Sequence, residues 1–268
     1  MELGLKGRRA LVTGSSSGIG EAIVTMLVEE GARVVVHGRN RERAEAVAAK
    51  IGAAGVAIGE LAEDGMAEAV HGQAVAALGG NVEILINNAG GNARGNTSKA
   101  PAEISADDFV ANYKANTLGA VQLCALAVPH MVASKFGRIV NVSSAVAMQP
   151  NFMGADYSAA KAALLNYTVS LAGSLRGVNV TANVLTPGII MVDGVLRFGR
   201  ARFGDPEMSF EDVARNFAEQ QVFEIPPVGR LGLPRELAMV ACLLASPLSG
   251  FITGANYRVD GGQVRGLN

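Results

Sequence analysis

Short apolar segments alternate with longer segments of helical periodicity along most of the chain. The strand-like segments are Arg9–Thr13, Arg33–His37, Val56–Glu60, Ile84–Asn87, Arg138–Ser143, Asn179–Leu185 and Ala255–Val259. The helical segments include Ile19–Glu30, Arg41–Ile51, Met66–Leu78 and a long one that begins at Ser105 and runs toward Phe136. Strands that are apolar on both faces are typical of a parallel sheet covered by helices on each side. Because helical crossovers are right-handed, the pattern predicts a doubly wound α/β domain of about seven strands.

Length and charge limit the number of domains and the kinds of partner. The 268 residues fit one large α/β domain, and 49% are hydrophobic, which is enough for a sizeable core. The formal net charge is −1, with acids and bases mixed along the chain. This balance favours neither nucleic acid nor an anionic membrane as a partner. We therefore predict a single domain that spans residues 1–268.

One segment, 191–228, interrupts the alternation and predicts a small inserted lobe. Its large apolar residues include Phe198, Phe203, Met208, Phe210, Phe217 and Phe223. Two interpretations stay open: these residues contact a bulky or apolar substrate, or they only pack the lobe against the core.

Cysteine usage and the N-terminal sequence predict a soluble cytoplasmic protein. Cys124 and Cys242 lie in apolar helical segments, where buried free thiols are expected rather than a disulfide. The first residues lack the charged and then apolar order of a signal peptide. The most apolar run, Leu237–Ala245, is shorter than the roughly 20 residues that cross a bilayer.

A glycine-rich loop joins the first predicted strand to the first helix. Its sequence, Thr13–Gly20, reads Thr-Gly-Ser-Ser-Ser-Gly-Ile-Gly. Glycines allow a sharp turn and a close approach of the backbone to a pyrophosphate. The helix N-terminus then offers free N–H groups to the phosphates. The loop predicts a dinucleotide site, although a plain glycine turn into a helix has the same composition.

The end of the second strand bears on the choice of dinucleotide. A carboxylate there would bind the adenosine ribose 2′-hydroxyl and repel a 2′-phosphate. This chain has Gly38 followed by Arg39, whose guanidinium can pair with a phosphate. The pattern favours NADP(H), with NAD(H) also accepted because Ser17 adds no second charge in the glycine loop. Alternatively, Arg39 is only a solvated loop residue.

A tyrosine and a lysine lie four residues apart in a helical segment that follows a pair of serines. Tyr157 and Lys161 share a helix face, so the ammonium lies near the phenol and favours phenolate formation. The phenol then suits proton transfer near neutral pH. Upstream, the strand that begins at Arg138 ends in two serines, Ser143 and Ser144, and a hydroxyl at a strand end can donate to a carbonyl oxygen. Either pattern alone arises by chance or marks a turn.

Together these motifs resemble the short-chain dehydrogenase/reductase family, from about Lys6 to Gly262. The resemblance also rests on Asn87-Asn88-Ala89-Gly90, Asn116, Pro187-Gly188 and the closing Thr253-Gly254 with Val259–Gly262. It implies a Rossmann-type fold, and the overall likeness is to bacterial 3-oxoacyl-carrier-protein reductases. The expected reaction is hydride transfer between a nicotinamide and a carbonyl or secondary alcohol.

The resemblance also assigns residues to roles. The expected catalytic residues are Asn116, Ser144, Tyr157 and Lys161, and no metal is expected. Ser144 would hold the substrate oxygen, Tyr157 would move its proton, and Asn116 would hold a water that links Lys161 to solvent. The expected cofactor contacts are Gly14, Ser16, Ser17, Gly18, Ile19, Gly20, Arg39, Asn40, Glu60, Leu61, Asn88, Ala89, Gly90, Tyr157, Lys161, Pro187, Gly188 and Ile190.

Some positions depart from the family pattern, and other outcomes follow from the resemblance. Glu60 stands where an aspartate often contacts adenine, and Val192 stands where many members have a threonine. The family also implies a homotetramer, or at least a dimer, through the helices near Ser105 and Tyr157. A different class of function is a dinucleotide-sensing or scaffold protein that kept the fold and lost catalysis.

Overall fold

The computed structural model describes residues 2–91, 99–150, 154–220, 222 and 225–266. Within these residues, seven parallel strands form one sheet in the order β3-β2-β1-β4-β5-β6-β7. The strands are β1 (Arg9–Val12), β2 (Arg33–Gly38), β3 (Gly55–Ile58), β4 (Ile84–Asn87), β5 (Gly137–Val142), β6 (Val180–Pro187) and β7 (Asn256–Val259). The strand order reverses direction between β1 and β4, so the prediction of a doubly wound α/β fold is confirmed.

Helices cover both faces of this sheet. They are α1 (Gly18–Glu29), α2 (Arg41–Ile51), α3 (Met66–Leu78), α4 (Ala106–Tyr113), α5 (Gly119–Ala133), α6 (Ala155–Ser174), α7 (Asp193–Phe203), α8 (Phe210–Glu219) and α9 (Pro234–Ala245). Helices α1, α2 and α9 pack on one face, and α3, α5 and α6 pack on the other. Each strand therefore lies between two apolar layers.

The strand β1 shows why the strand segments are apolar throughout. Ala10 and Val12 face the layer under α1, whereas Leu11 faces the layer under α3 and α5. All three side chains are fully buried. Consecutive strand residues point to opposite faces, so a polar residue at any of these positions would lie in a core. Burial of each large aliphatic side chain stabilises the fold by about 1.5–3 kcal/mol.

The long helix that begins at Ser105 differs from its predicted form. Ser105 caps it as expected, since its Oγ accepts a hydrogen bond from the Asp108 N–H at 3.2 Å. A π-helical turn, Lys114–Leu118, separates α4 from α5. The helix ends at Ala133 rather than near Phe136, because Lys135 adopts a left-handed conformation with φ of 56°.

The segment after β6 forms two helices with a small core of their own. Met191, Val213, Phe217 and Leu231 are buried together there. The Phe217 ring lies 6.0 Å from that of Phe198 and 5.4 Å from that of Phe203. Phe217 thus holds α7 and α8 together within the lobe, while Phe198 is half exposed. Phe223 lies outside the described residues.

Both cysteines are free and buried, as predicted. Burial raises the pKa of the Cys124 thiol to about 12, so the thiol is inert near neutral pH. Within the described residues, one helical run, Ala106–Ala133, is long and apolar enough to cross a membrane by length and composition. It carries the buried polar residues Asp108 and Asn112, so we interpret it as a core helix.

Candidate active site

The loop between β1 and α1 adopts a conformation that glycine permits. Gly14 and Gly18 have φ of 63° and 60°, in the left-handed region. A Cβ on Gly20 would overlap the carbonyl oxygen of Gly14 and lie 2.6 Å from Nδ2 of Asn88. Side chains at these positions would push α1 away from the strand ends. Among the described residues, no side chain of the loop caps α1, so its first N–H groups face the loop.

The segment after β4 braces this loop. Asn88 donates from Nδ2 to the carbonyl oxygens of Thr13 and Gly14, each at 3.0 Å. The Thr13 hydroxyl accepts the backbone N–H groups of Asn88 at 3.0 Å and Ala89 at 2.9 Å. The Asn88 side chain therefore holds the loop in its conformation. The contact with the cofactor that we expect for Asn88 stays a prediction.

A histidine that the sequence analysis did not select supports the loop from β2. His37 Nδ1 accepts the N–H of Gly14 at 2.9 Å, and the His37 N–H donates to Ser15 Oγ at 2.9 Å. Burial lowers the pKa of His37 to about 4, so the ring stays neutral and Nδ1 keeps its acceptor lone pair. The signal for this role was a histidine at the end of β2, next to the crossing point of the sheet.

Two adjoining cavities follow the carboxyl ends of the strands, with volumes of about 560 and 360 Å³. They share Gly14, Ser17, Ala89, Gly90 and Gly91, and they form one groove past the glycine loop. Every sequence-predicted site residue except Gly20 and Asn116 lines one of them. Lining residues that sequence reasoning did not assign to the cofactor are His37, Gly38, Arg43, Gly59, Ala62, Gly91, Ala111, Lys114, Ala115, Val142, Ser143 and Val192.

The larger cavity ends between β2 and β3. Arg39 and Glu60 form an ion pair there, with 2.9 Å between Nη1 and Oε2. Asn40 caps α2, since its Oδ1 accepts the Arg43 N–H at 2.9 Å. A Cβ on Gly38 would lie 2.6 Å from Oγ of Ser16, so the absence of a side chain at 38 leaves room for this serine.

The smaller cavity ends at the serine pair after β5. Ser143 is buried and donates from Oγ to the carbonyl of Lys161 at 3.0 Å. Ser144 instead lines the cavity together with Tyr157, and it lowers the pKa of the Tyr157 phenol. Lys161 enters the same cavity from α6, and its Nζ donates to the carbonyl of Val142 at 2.9 Å. Three polar side chains thus converge at one end of the groove.

The proton affinities of this cluster follow from burial. Burial raises the pKa of Tyr157, and Ser144 opposes that shift. Burial lowers the pKa of Lys161 to about 8. We expected the lysine charge to lower the pKa of Tyr157, but the structure gives the opposite direction. Loss of solvation sets the direction of this shift, and Ser144 rather than Lys161 opposes it.

Asn116 lies in the π-helical turn and is buried behind the cavity. Its Nδ2 donates to the Gly91 carbonyl, and its Oδ1 accepts the Gly91 N–H, both at 2.8 Å. A Cβ on Gly90 would lie 2.5 Å from Asn116 Oδ1 and 3.0 Å from Lys161 Nζ. The Asn116 amide therefore holds the backbone of Gly90 and Gly91 in place beside Lys161. The water that we expect it to hold stays a prediction.

The groove fits a nicotinamide dinucleotide, because a glycine cradle and an open helix N-terminus lie at its middle. In the described part of the chain, no group of three His, Cys, Asp or Glu side chains is placed to bind a metal.

Comparison with known proteins agrees with this geometry. The sequence model of the short chain dehydrogenase family matches residues 8–198. The 3-oxoacyl-(acyl-carrier-protein) reductase of Aquifex aeolicus is 34% identical, over 98% of this chain and 99% of that protein. The chain belongs to the short-chain dehydrogenase/reductase family and is an NAD(P)-dependent oxidoreductase.

Solved structures extend the comparison to bound cofactors. L-sorbose reductase from Gluconobacter frateurii, complexed with NADPH and L-sorbose, superposes with a TM-score of 0.88 at 28% identity, and the match covers 100% of both chains. A 3-oxoacyl-(acyl-carrier-protein) reductase from Agrobacterium tumefaciens C58 with NADP bound gives 0.85 at 32% identity, over 97% of this chain and 96% of that one. These likenesses support a nicotinamide dinucleotide as the cofactor.

Proposed function

We propose that the chain is an NADP(H)-preferring enzyme that interconverts a ketone and a secondary alcohol, with NAD(H) accepted less well. The observation that carries the proposal is the convergence of Ser144, Tyr157 and Lys161 at one end of a dinucleotide-shaped groove. The nicotinamide, when bound, supplies or accepts the hydride. The protein must bind the carbonyl oxygen and move one proton.

Each of these side chains has a separate task. The Ser144 hydroxyl donates to the substrate oxygen, where negative charge develops during reduction. Tyr157 gives that oxygen its proton, and its raised pKa keeps the phenol protonated at neutral pH. Lys161 donates to the nicotinamide ribose hydroxyls. Pro187, Gly188 and Ile190 line the same cavity and pack along the nicotinamide ring.

The remaining groove residues hold the rest of the cofactor. We propose that Gly14, Ser17, Gly18 and Ile19 bind the pyrophosphate, with Gly20 as the close-packing position behind them. Ala89 and Gly90 line the adenosine side. Arg39, Asn40, Glu60, Leu61 and Ser16 surround the adenosine ribose and adenine.

Two classes of ketone deserve testing as substrates. A 3-oxoacyl thioester follows from the 34% identity to the Aquifex aeolicus enzyme. A keto sugar follows from the L-sorbose reductase, which this chain matches over 100% of both lengths. The lobe formed by α7 and α8 borders the nicotinamide end through Val192, so we propose that it selects the substrate.

The test is NADPH oxidation, followed by absorbance, with 3-oxoacyl thioesters, keto sugars and simple diketones. We expect ketone-dependent turnover, with a higher kcat/KM for NADPH than for NADH. Tight dinucleotide binding without turnover of any ketone would contradict the proposal and support a sensing or scaffold protein instead.

Assembly and location complete the proposal. Exposed apolar side chains on α4 and α6, namely Phe109, Val110, Tyr113 and Val169, suit contact with a second copy. A second exposed set, Met239, Leu243, Leu248 and Phe251, lies on or near α9. Two such surfaces support a homotetramer, and the two free, buried cysteines support a cytoplasmic location.

A further inference from the structure

The cation that the sequence offers for a 2′-phosphate already has a partner. Arg39 is 78% exposed at its side chain and pairs with Glu60 at 2.9 Å. Both residues line the adenosine end of the larger cavity. A 2′-phosphate that binds Arg39 must therefore displace or approach a carboxylate. No carboxylate lies at the end of β2, but Glu60, just after β3, places one in the same cavity.

A second guanidinium lines the same cavity without such a partner. Arg43 is exposed in the first turn of α2. Within the described residues, its side chain makes no hydrogen bond or ion pair, and its backbone N–H is held by Asn40. It is therefore a cation with a fixed backbone position and unused donors, beside the place where the adenosine ribose would lie.

We infer that Arg43 is the principal cation for the 2′-phosphate of NADP(H) and that Glu60 limits the preference for this cofactor by holding Arg39. This inference rests on the proposed function, since it concerns the cofactor of the same site. It differs from the expectation drawn from the sequence, in which Arg39 discriminates almost alone.

Charge gives the direction of each effect. A sugar phosphate carries close to two negative charges at neutral pH, so Arg43 attracts it and Glu60 repels it. NAD(H) has a hydroxyl at this position, and a carboxylate can accept its hydrogen bond. Neutralising Glu60 removes the repulsion and frees Arg39, so both changes favour the phosphate.

The experiment measures dissociation constants of NADPH and NADH by isothermal titration calorimetry, with 2′,5′-ADP and 5′-AMP as fragment probes. The chain contains no tryptophan, so calorimetry replaces intrinsic fluorescence. The single variants are Arg43→Gln, Glu60→Gln and Arg39→Gln. A double variant combines Glu60→Gln with Arg39→Gln. Arg41→Gln is the matched control, because Arg41 lies on the same helix, pairs with Glu45 and does not line the cavity.

For Arg43→Gln we expect NADPH and 2′,5′-ADP to bind about 10-fold more weakly, the low end for a charged hydrogen bond. NADH and 5′-AMP should bind as before, and Arg41→Gln should change neither. For Glu60→Gln we expect NADPH to bind about 3- to 10-fold more tightly. That gain should shrink when Arg39 is also replaced.

Other outcomes separate this inference from the proposed function. Equal NADPH binding by the Arg43→Gln and Arg41→Gln variants overturns the role of Arg43. Unchanged or weaker NADPH binding by Glu60→Gln overturns the role of Glu60. If the unmodified protein binds neither dinucleotide, the proposed function fails as well.

Discussion

Ser143 and Ser144 are adjacent residues of the same type with different surroundings. Ser143 is buried against the Lys161 carbonyl, whereas Ser144 lines the cavity together with Tyr157. We predict that Ser144→Ala lowers kcat/KM by about 10²-fold or more, as for loss of one oxyanion donor. Ser143→Ala should mainly lower the melting temperature, since a buried hydrogen bond contributes about 1 kcal/mol. Equal kinetic losses in both variants would contradict the separate roles.

The lowered pKa of Lys161 predicts that activity declines at alkaline pH. Burial lowers its pKa to about 8, so its charge is lost as pH rises through that value. The raised pKa of Tyr157 keeps the phenol protonated to higher pH. We predict that kcat/KM for NADPH, measured at saturating ketone, falls above about pH 8 because this parameter reports the free enzyme. A flat profile to pH 9.5 would contradict the assignment.

At the scale of elements, His37 ties the loop before α1 to the strand β2. The pKa of its ring is lowered from 6.5 to about 4, so the fold favours the neutral form. The stabilisation is fully present above pH 6.5 and is lost as pH falls toward 4, to a total of at most about 3 kcal/mol.

We therefore predict that the melting temperature and NADPH affinity both fall as pH is lowered from 7 to 4.5. His37→Asn, which keeps an acceptor and cannot titrate, should have a lower melting temperature at pH 7 and a shallower decline. Calorimetry across this range measures both slopes. Parallel declines in the two proteins would show that other groups cause the acid sensitivity.

The elements that the sequence predicted well are those with local signals. The bounds of α2, α3 and β4 agree, because hydrophobic periodicity and caps such as Asn40 specify them. The π-helical turn at Lys114–Leu118 was missed. Its residues are ordinary helix formers, and the turn accompanies a distant contact between Asn116 and Gly91.

In the candidate site, too, features with local sequence signals were predicted and features that depend on distant contacts were not. Tyr157 and the glycine loop were recognised from spacing and strand ends, whereas the choice of Ser144 over Ser143 came from the family resemblance. The pairing of Arg39 with Glu60 could not be predicted, because it joins the ends of two strands whose side-chain reach is a tertiary property. The sequence signal for His37 was only its place at the end of β2, because its contact with Gly14 is also a tertiary property.

At the scale of the whole molecule, two apolar surfaces predict the assembly. Strand β7 lies at the edge of the sheet, and Phe251, which precedes it in the chain, is fully exposed. We predict a homotetramer by sedimentation velocity at micromolar concentration. Met239→Glu with Phe251→Asp should give dimers that retain the α4 and α6 contact. A monomeric unmodified protein would contradict the prediction of assembly.

The central claim is that this fold performs proton-coupled hydride transfer through Tyr157, and Tyr157→Phe tests it most directly. The substitution removes one hydroxyl and leaves the ring, Lys161 and the glycine loop in place. With the best ketone found, we predict that kcat falls at least about 10²-fold, the low end for general acid catalysis, while the NADPH dissociation constant changes less than about 3-fold. Near-normal turnover in this variant would contradict the account.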